Sequence, residues 1–172
     1  MKRICALLII LLLCILPNLN YKEDDFNFIF SFGVQGKNNI NTFNKTFTKD
    51  LVMAGQETIS LNLSQEEKNI ILEYVLDEKI FELNGSFKEY LCVMPCDKME
   101  LYLYYNGMEK SLSWSTNNIP ILSFTTDGSV EFLENEETKD VLKLEKLTRL
   151  ILEIIKSKKE YKTLPEPTGG YL

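Results

Sequence analysis

The chain reads as an α+β protein: a mostly antiparallel sheet with two amphipathic helices packed on one face. Three observations predict it. Phe26, Phe28, Phe30 and Phe32 alternate with Asn27, Ile29, Ser31 and Gly33, Asn106-Gly107 joins two alternating runs, and two stretches repeat apolar residues at helical spacing.

Ahead of the sheet stands a leader. Ile4 to Leu16 is an unbroken apolar run of 13 residues behind Lys2 and Arg3. A basic start followed by a short apolar block is the layout of an export signal, and the run falls short of the roughly 20 residues that span a bilayer. Residues 1–20 are therefore expected to be a signal peptide or short membrane anchor, residues 21–163 a single domain, and residues 164–172 a Pro/Gly tail. Between Ala6 and Ser31 there is no Ala, Gly or Ser, so the leader lacks a good cleavage sequence. Lipidation at Cys14 and retention as an anchor stand as alternatives to cleavage near Asn20. In either case only the N-terminal segment is expected to touch membrane.

Beyond the leader each element has its own signal. The Phe26–Val34 alternation makes the first strand, with one wholly apolar face. Gly36 to Asn39 supplies turn residues. A second strand is expected from Ile40 to Phe47, with Phe43 and Phe47 on one face and Thr42, Asn44 and Thr46 on the other. A third runs from Thr58 to Leu63. Ser64-Gln65-Glu66-Glu67 is a capping box opening a helix whose buried stripe is read as Ile70, Ile71, Tyr74 and Val75. Met99–Tyr105 and Met108–Trp114 flank Asn106-Gly107, a type I′ hairpin pairing Tyr105 with Met108, Leu103 with Lys110 and Leu101 with Leu112. A weaker hairpin is expected to turn at Asp127-Gly128. From Glu136 to Glu160 a second helix buries Leu144, Leu147, Leu150, Ile151, Ile154 and Ile155. The last residues, from Leu164 to Leu172, nearly spell a sortase signal, but Pro167 is one residue too many. Their prolines favour extended geometry, with Tyr171-Leu172 either free or docked on the sheet.

Composition then narrows function. The chain has no histidine, which removes the commonest general base and the usual nitrogen ligands of zinc and copper. Without Lys2 and Arg3, 17 basic residues face 25 acidic ones, a net charge of −8. Nucleic acid is not an expected partner, and no cofactor or metal is expected. No nucleophile-elbow, P-loop or dinucleotide fingerprint occurs, so the chain reads as a binding module more than an enzyme. A carboxylate-dependent hydrolase of cell-wall glycan is the enzymatic alternative, and it requires two acids facing each other across a cleft. An inhibitor of a secreted enzyme is a third reading.

Four residues are read as a binding face: Thr42, Thr46, Tyr102 and Tyr104, polar or aromatic positions opposite the apolar face of their strands. The expected ligand is a protein, small molecule or glycan, bound by a monomer. Cys92 and Cys96 are read as a structural disulfide, since three intervening residues allow a small ring and the spacing is not that of a redox pair.

Phe32-Gly33-Val34, Asn41-Thr42-Phe43, Thr48-Lys49-Asp50 and the closing Leu164-Pro165-Glu166-Pro167-Thr168-Gly169-Gly170-Tyr171-Leu172 resemble a family of small exported proteins of low-GC Gram-positive bacteria. The likeness covers residues 26–63 and 138–172. It implies a signal-peptide or lipoprotein leader, one α+β domain and a place at the extracellular side of the cell envelope. It carries over no catalytic residue. The Cys92/Cys96 pair and the poor lipidation sequence depart from it.

Overall fold

Alternating phenylalanines place one strand at the centre of everything else. In the computed structural model, which describes residues 26–87, 96–115, 123–124, 130–131 and 136–171, that strand is β1 (Phe26–Phe32). Phe28 and Phe30 are wholly inaccessible to solvent. Around β1 lie β2 (Asn38–Asn41), β3 (Thr46–Asp50), β4 (Gln56–Ser60), β5 (Met99–Tyr105) and β6 (Met108–Trp114). Their spatial order is β4-β3-β2-β1-β5-β6, and every pair is antiparallel. A separate pair, β7 (Ser123–Phe124) and β8 (Val130–Glu131), completes the strands. The α+β architecture is as the alternation predicts.

Helix α1 (Gln65–Asp77) and a 3-10 turn (Ile80–Glu82) follow edge strand β4 in the chain. Ser64 caps α1 as expected: its hydroxyl accepts the Glu67 amide proton at 3.2 Å, and the Glu67 carboxylate accepts that of Ser64 at 2.7 Å. The buried stripe is rotated from the one read in the sequence. Lys68, Ile71, Leu72 and Val75 are buried, whereas Ile70 is 51% exposed and Tyr74 half-buried. The positions i, i+3, i+4 and i+7 form one face, and Lys68 joins it by lying its stem on apolar neighbours while its ammonium reaches Asn27 Oδ1 at 3.2 Å. The Tyr74 hydroxyl donates to the Lys143 carbonyl at 3.0 Å. Burial, helped by the Glu78 carboxylate, pushes its pKa up to about 12.

Helix α2 (Glu136–Ser157) buries Val141, Leu144, Leu147, Ile151 and Ile155 against the face of the sheet that α1 also covers. Each such side chain contributes about 1.5–3 kcal/mol relative to exposure. The helix stops short of Glu160. Lys158 leaves helical geometry, a short α3 (Lys159–Lys162) follows, and the Lys158 ammonium meets the Glu67 carboxylate at 2.6 Å. One carboxylate thus caps α1 and ties it to the end of α2. On the sheet, Phe30 stacks on Trp114 at 5.9 Å, and the Trp114 indole N–H donates to Glu145 of α2 at 3.1 Å.

The β5–β6 hairpin has the expected register, with Asn106 and Gly107 at φ 49° and 78° as a type I′ turn requires. Its outer edge is covered by Gly85–Phe87: Ser113 donates to the Gly85 carbonyl at 2.9 Å and Phe87 to that of Ser113 at 3.2 Å. The β7–β8 pair sets Phe124 opposite Val130, one residue from the register of a two-residue Asp127-Gly128 turn.

The second expected strand is corrected. Residues 42–45 form a turn, so Ile40–Phe47 is a hairpin between β2 and β3. Asn41 drives the reversal: its Oδ1 accepts the Asn44 amide proton at 3.0 Å, and Lys45 closes the turn at φ 55°. Phe43 and Phe47 therefore part company. Phe47 is buried in the core, and Phe43 stands 44% exposed.

The tail is docked. Leu164 is buried, Thr168 exchanges backbone hydrogen bonds with Leu51 and Met53 (3.2 Å each), and Glu166 pairs with the buried Lys49 at 3.4 Å. The Tyr171 hydroxyl donates to Asp50 Oδ2 and accepts from the Lys37 ammonium at 3.1 Å. Gly169, at φ 77°, lies so close to Met53 that a Cβ would sit 2.5 Å from its sulfur.

Candidate functional site

Antiparallel pairing in this register gives the second face of the sheet a regular chemistry. Ser60, Thr46, Asn41, Ile29, Tyr102 and Ser111 line up as one row across all six strands. At about 4.8 Å per strand the row is about 24 Å wide. Thr58, Thr48, Asn39, Ser31, Glu100 and Ser113 make the next row. Neighbours in it hydrogen-bond laterally, Thr48 with Thr58 at 2.8 Å and Asn39 with Ser31 at 2.9 Å. The buried faces of α1 and α2 join the opposite side of the sheet, in one core with Phe28, Phe30 and Leu103.

Aromatic rings interrupt the polar rows at one place. Tyr102 and Tyr104, two residues apart on β5, point the same way, and Phe43 reaches over from the β2–β3 turn. Its ring centroid lies 6.2 Å from that of Tyr102 and 6.4 Å from that of Tyr104. The Glu109 carboxylate acts on the Tyr102 hydroxyl from the neighbouring strand β6. Desolvation first, then that carboxylate and Tyr104, raise its pKa above the ordinary tyrosine value.

Of the four residues read as a binding face, Tyr102, Tyr104 and Thr46 occupy the outer face and Thr42 does not. Thr42 is buried at the end of β2. Its Oγ1 accepts the Phe28 amide proton at 2.8 Å, and its own proton lies between the Phe28 carbonyl (3.0 Å) and Asn27 Oδ1 (3.1 Å). With its backbone N–H also given to Phe28, Thr42 is a structural pin where β2 leaves the sheet.

That pin floors a groove of about 360 Å³ between the β2–β3 turn and the start of α1. Thr42 and Lys68 are its buried members, Lys45 and Asn62 its exposed ones, and Asn27 and Gln65 lie between. Phe43 and Leu63 supply its apolar wall, and among the described residues no carboxylate lines it. Phe43 belongs to both the groove and the aromatic cluster, so the two form one continuous surface. A second groove, of about 340 Å³, runs beside Tyr102 along Ile29, Ser31 and Ser111.

Sequence reading missed Phe43, Lys45, Asn62, Gln65 and Lys68. Asn41 and Asn44 three residues apart were the available signal, because asparagines at that spacing favour a turn and would have turned Phe43 outward. Nothing local marks Lys68 as buried.

Cys96 is disulfide-bonded. Its backbone is held beside the β1–β2 turn, where the Gln35 N–H donates to the Cys96 carbonyl at 3.1 Å. Cys92, Cys14 and the leader lie outside the described residues. Among the described residues no group of three or more acids and cysteines is placed to hold a metal ion, and no helix is long and apolar enough to cross a membrane. The groove along α1, about 420 Å³, contains Glu73 and Asp77. They stand on successive turns of one helix, and do not oppose each other as a glycosidase pair does.

No protein-family model and no curated protein matches the chain.

Proposed function

We propose that this chain is an exported, envelope-associated binding module, and that its ligand lies on the outer face of the sheet around Tyr102, Tyr104 and Thr46. The observation that carries the reading is Phe43. A large apolar ring stands half in solvent beside two tyrosines on a face whose two rows, Ile29 and Glu100 apart, otherwise carry hydroxyls and amides. An exposed aromatic cluster of that kind is the informative exception on a polar surface, and aromatic anchors dominate binding energetics. Export rests on the apolar leader behind Lys2 and Arg3. The absence of histidine from the sequence favours binding over catalysis.

The test is sedimentation of the protein with the envelope fraction of the cells that make it. Tyr102→Ala with Tyr104→Ala should lower retention at least tenfold, about 1.4 kcal/mol, without changing the melting transition by more than a few degrees. In protein whose intact mass shows the leader cleaved and Cys14 absent, retention equal to that of the unaltered protein would remove the face from consideration. Intact mass of the same material reports whether the leader is cleaved, lipidated at Cys14 or kept.

A further inference from the structure

We propose that the ligand of this face is a glycan chain, with one sugar unit in the groove beneath Phe43 and its neighbours laid over the rings of Tyr104 and Tyr102. The proposal rests on the binding-face reading and names its ligand class.

Sugars present two chemistries at once, and the surface supplies the complement of both. Ring hydroxyls donate and accept, and so do the carboxamides of Asn62 and Gln65 at the groove. The C–H faces of a sugar ring are apolar and flat. They match an exposed aromatic ring such as Phe43, whose two tyrosine neighbours lie within 6.4 Å of it and extend the platform along β5. The groove volume of about 360 Å³ falls at the low end of the ~300–1,000 Å³ range of ligand pockets, which suits a single ring-sized unit.

The floor is already organised. Thr42 is fixed to Phe28 and Asn27, and Lys68 to the same Asn27, so these groups need little reordering when a ligand arrives. Other ligand classes fit less well. A cation would find no carboxylate among the described residues of the groove. A peptide adding as a strand would need an unpaired edge, but β1 and β5 are paired with each other beside the cluster. A peptide side chain used as an anchor would find, among the described residues, Phe43 and Leu63 as apolar walls.

The experiment titrates the ¹⁵N-labelled protein, as recovered from the cells that make it, with three probes. They are the N-acetylglucosamine tetramer, cellotetraose, and peptidoglycan glycan strands stripped of their peptides. Saturable shifts of the Thr42, Phe43, Asn62, Gln65 and Tyr104 amides with at least one probe are expected. Phe43→Ala and Asn62→Ala should each weaken that binding at least tenfold, Phe43→Trp should keep it, and Thr58→Ala at the far edge of the face should leave it unchanged. Both weakening substitutions are at exposed positions, and a melting curve checks that each variant folds. Saturation by none of the probes, or binding indifferent to Phe43→Ala, overturns the glycan assignment. The binding face survives that outcome if envelope retention still needs Tyr102 and Tyr104, and fails separately if it does not.

Discussion

The two ends of the β2–β3 strands bring lysines and aromatic rings together in opposite ways. At the Asp50 end the chain's own C-terminus fills the space. Tyr171 lies between Asp50 and the Lys37 ammonium, which is 4.6 Å from the ring centroid, and Lys49 sits 5.2 Å over the Tyr161 ring with Glu166 as counter-ion. At the Thr42 end, Lys45, Lys68 and Phe43 surround a groove open to solvent. Similar side chains therefore serve two purposes. Where the tail supplies the partner, the cluster is part of the fold. Where the chain leaves a volume of ligand size, Lys68 is held by Asn27 in the floor, and the exposed Phe43 ring faces solvent.

Breaking the closed end should have the largest effect. Ending the chain at Thr163 removes buried Leu164, the Thr168 backbone pairing and the tail side-chain contacts of Glu166 with Lys49 and of Tyr171 with Asp50 and Lys37. Loss of one buried leucine costs about 2–5 kcal/mol, and Lys49 and Asp50 also lose partners. Urea unfolding should therefore show several kcal/mol of destabilisation. A change below 1 kcal/mol would mean that the tail merely rests on a finished fold.

The floor of the open end comes next. Thr42→Val leaves the Phe28 amide without its hydroxyl acceptor, at a cost of about 1–3 kcal/mol, and Thr42→Ser should restore most of it. If valine is tolerated, the floor is not pinned through that hydroxyl. Tyr171→Phe is a milder cut at the closed end. It removes the hydroxyl that donates to Asp50 and accepts from Lys37, and should cost about 0.5–1.5 kcal/mol for each bond by thermal melting.

Two smaller effects sharpen the comparison. Val52, in the turn that the tail pairs with, has φ 60°, a left-handed conformation unfavourable for a β-branched residue. Val52→Gly should gain up to about 1 kcal/mol, since relief of the strain exceeds the entropy cost of glycine. A loss would indicate that the valine side chain contributes packing there. Glu145 belongs to neither end and serves as a reference. Burial holds its pKa above the usual glutamate value of 4.5, against the Trp114 hydrogen bond and Arg149, which lower it. A carboxyl raised by folding contributes stability that is present below the unfolded value and lost as pH rises through the folded one. Glu145→Gln should flatten stability just above pH 4.5, and an unchanged slope there would assign the dependence to other groups.

Much of the fold was legible because its signals are local. The Phe26–Val34 alternation, the Ser64 capping box and the Asn106-Gly107 turn each act within a few residues, and each appears where read, with β1 ending at Phe32 because Gly33 turns at φ 79°. The candidate site was half legible. Tyr102 and Tyr104 inherit their direction from strand period alone. Phe43 and Thr42 depend on where β2 ends, and Thr and Phe suit a strand well enough to hide the Asn41–Asn44 turn between them. Ile70 and Tyr74 are misplaced in the buried stripe of α1 because hydropathy cannot say which of two adjoining stripes faces a partner. Lys68 is buried because Asn27, 41 residues away in sequence, receives its ammonium.

By itself, then, the sequence determined the α+β class, the register of the Asn106-Gly107 hairpin, the start of α1 and the apolar faces of β1 and β5. All of these follow from backbone geometry and a residue's nearest neighbours along the chain. Tertiary structure decided the rest: the six-strand order, the docking of Leu164 to Tyr171, the partners of Lys49 and Lys68, and the groove beneath Phe43. Those depend on residues brought together from distant segments, as with Asp50 and Tyr171, 121 positions apart. Which distant groups meet is settled only when the whole core is packed, because one orientation of each element must satisfy all of its neighbours at once.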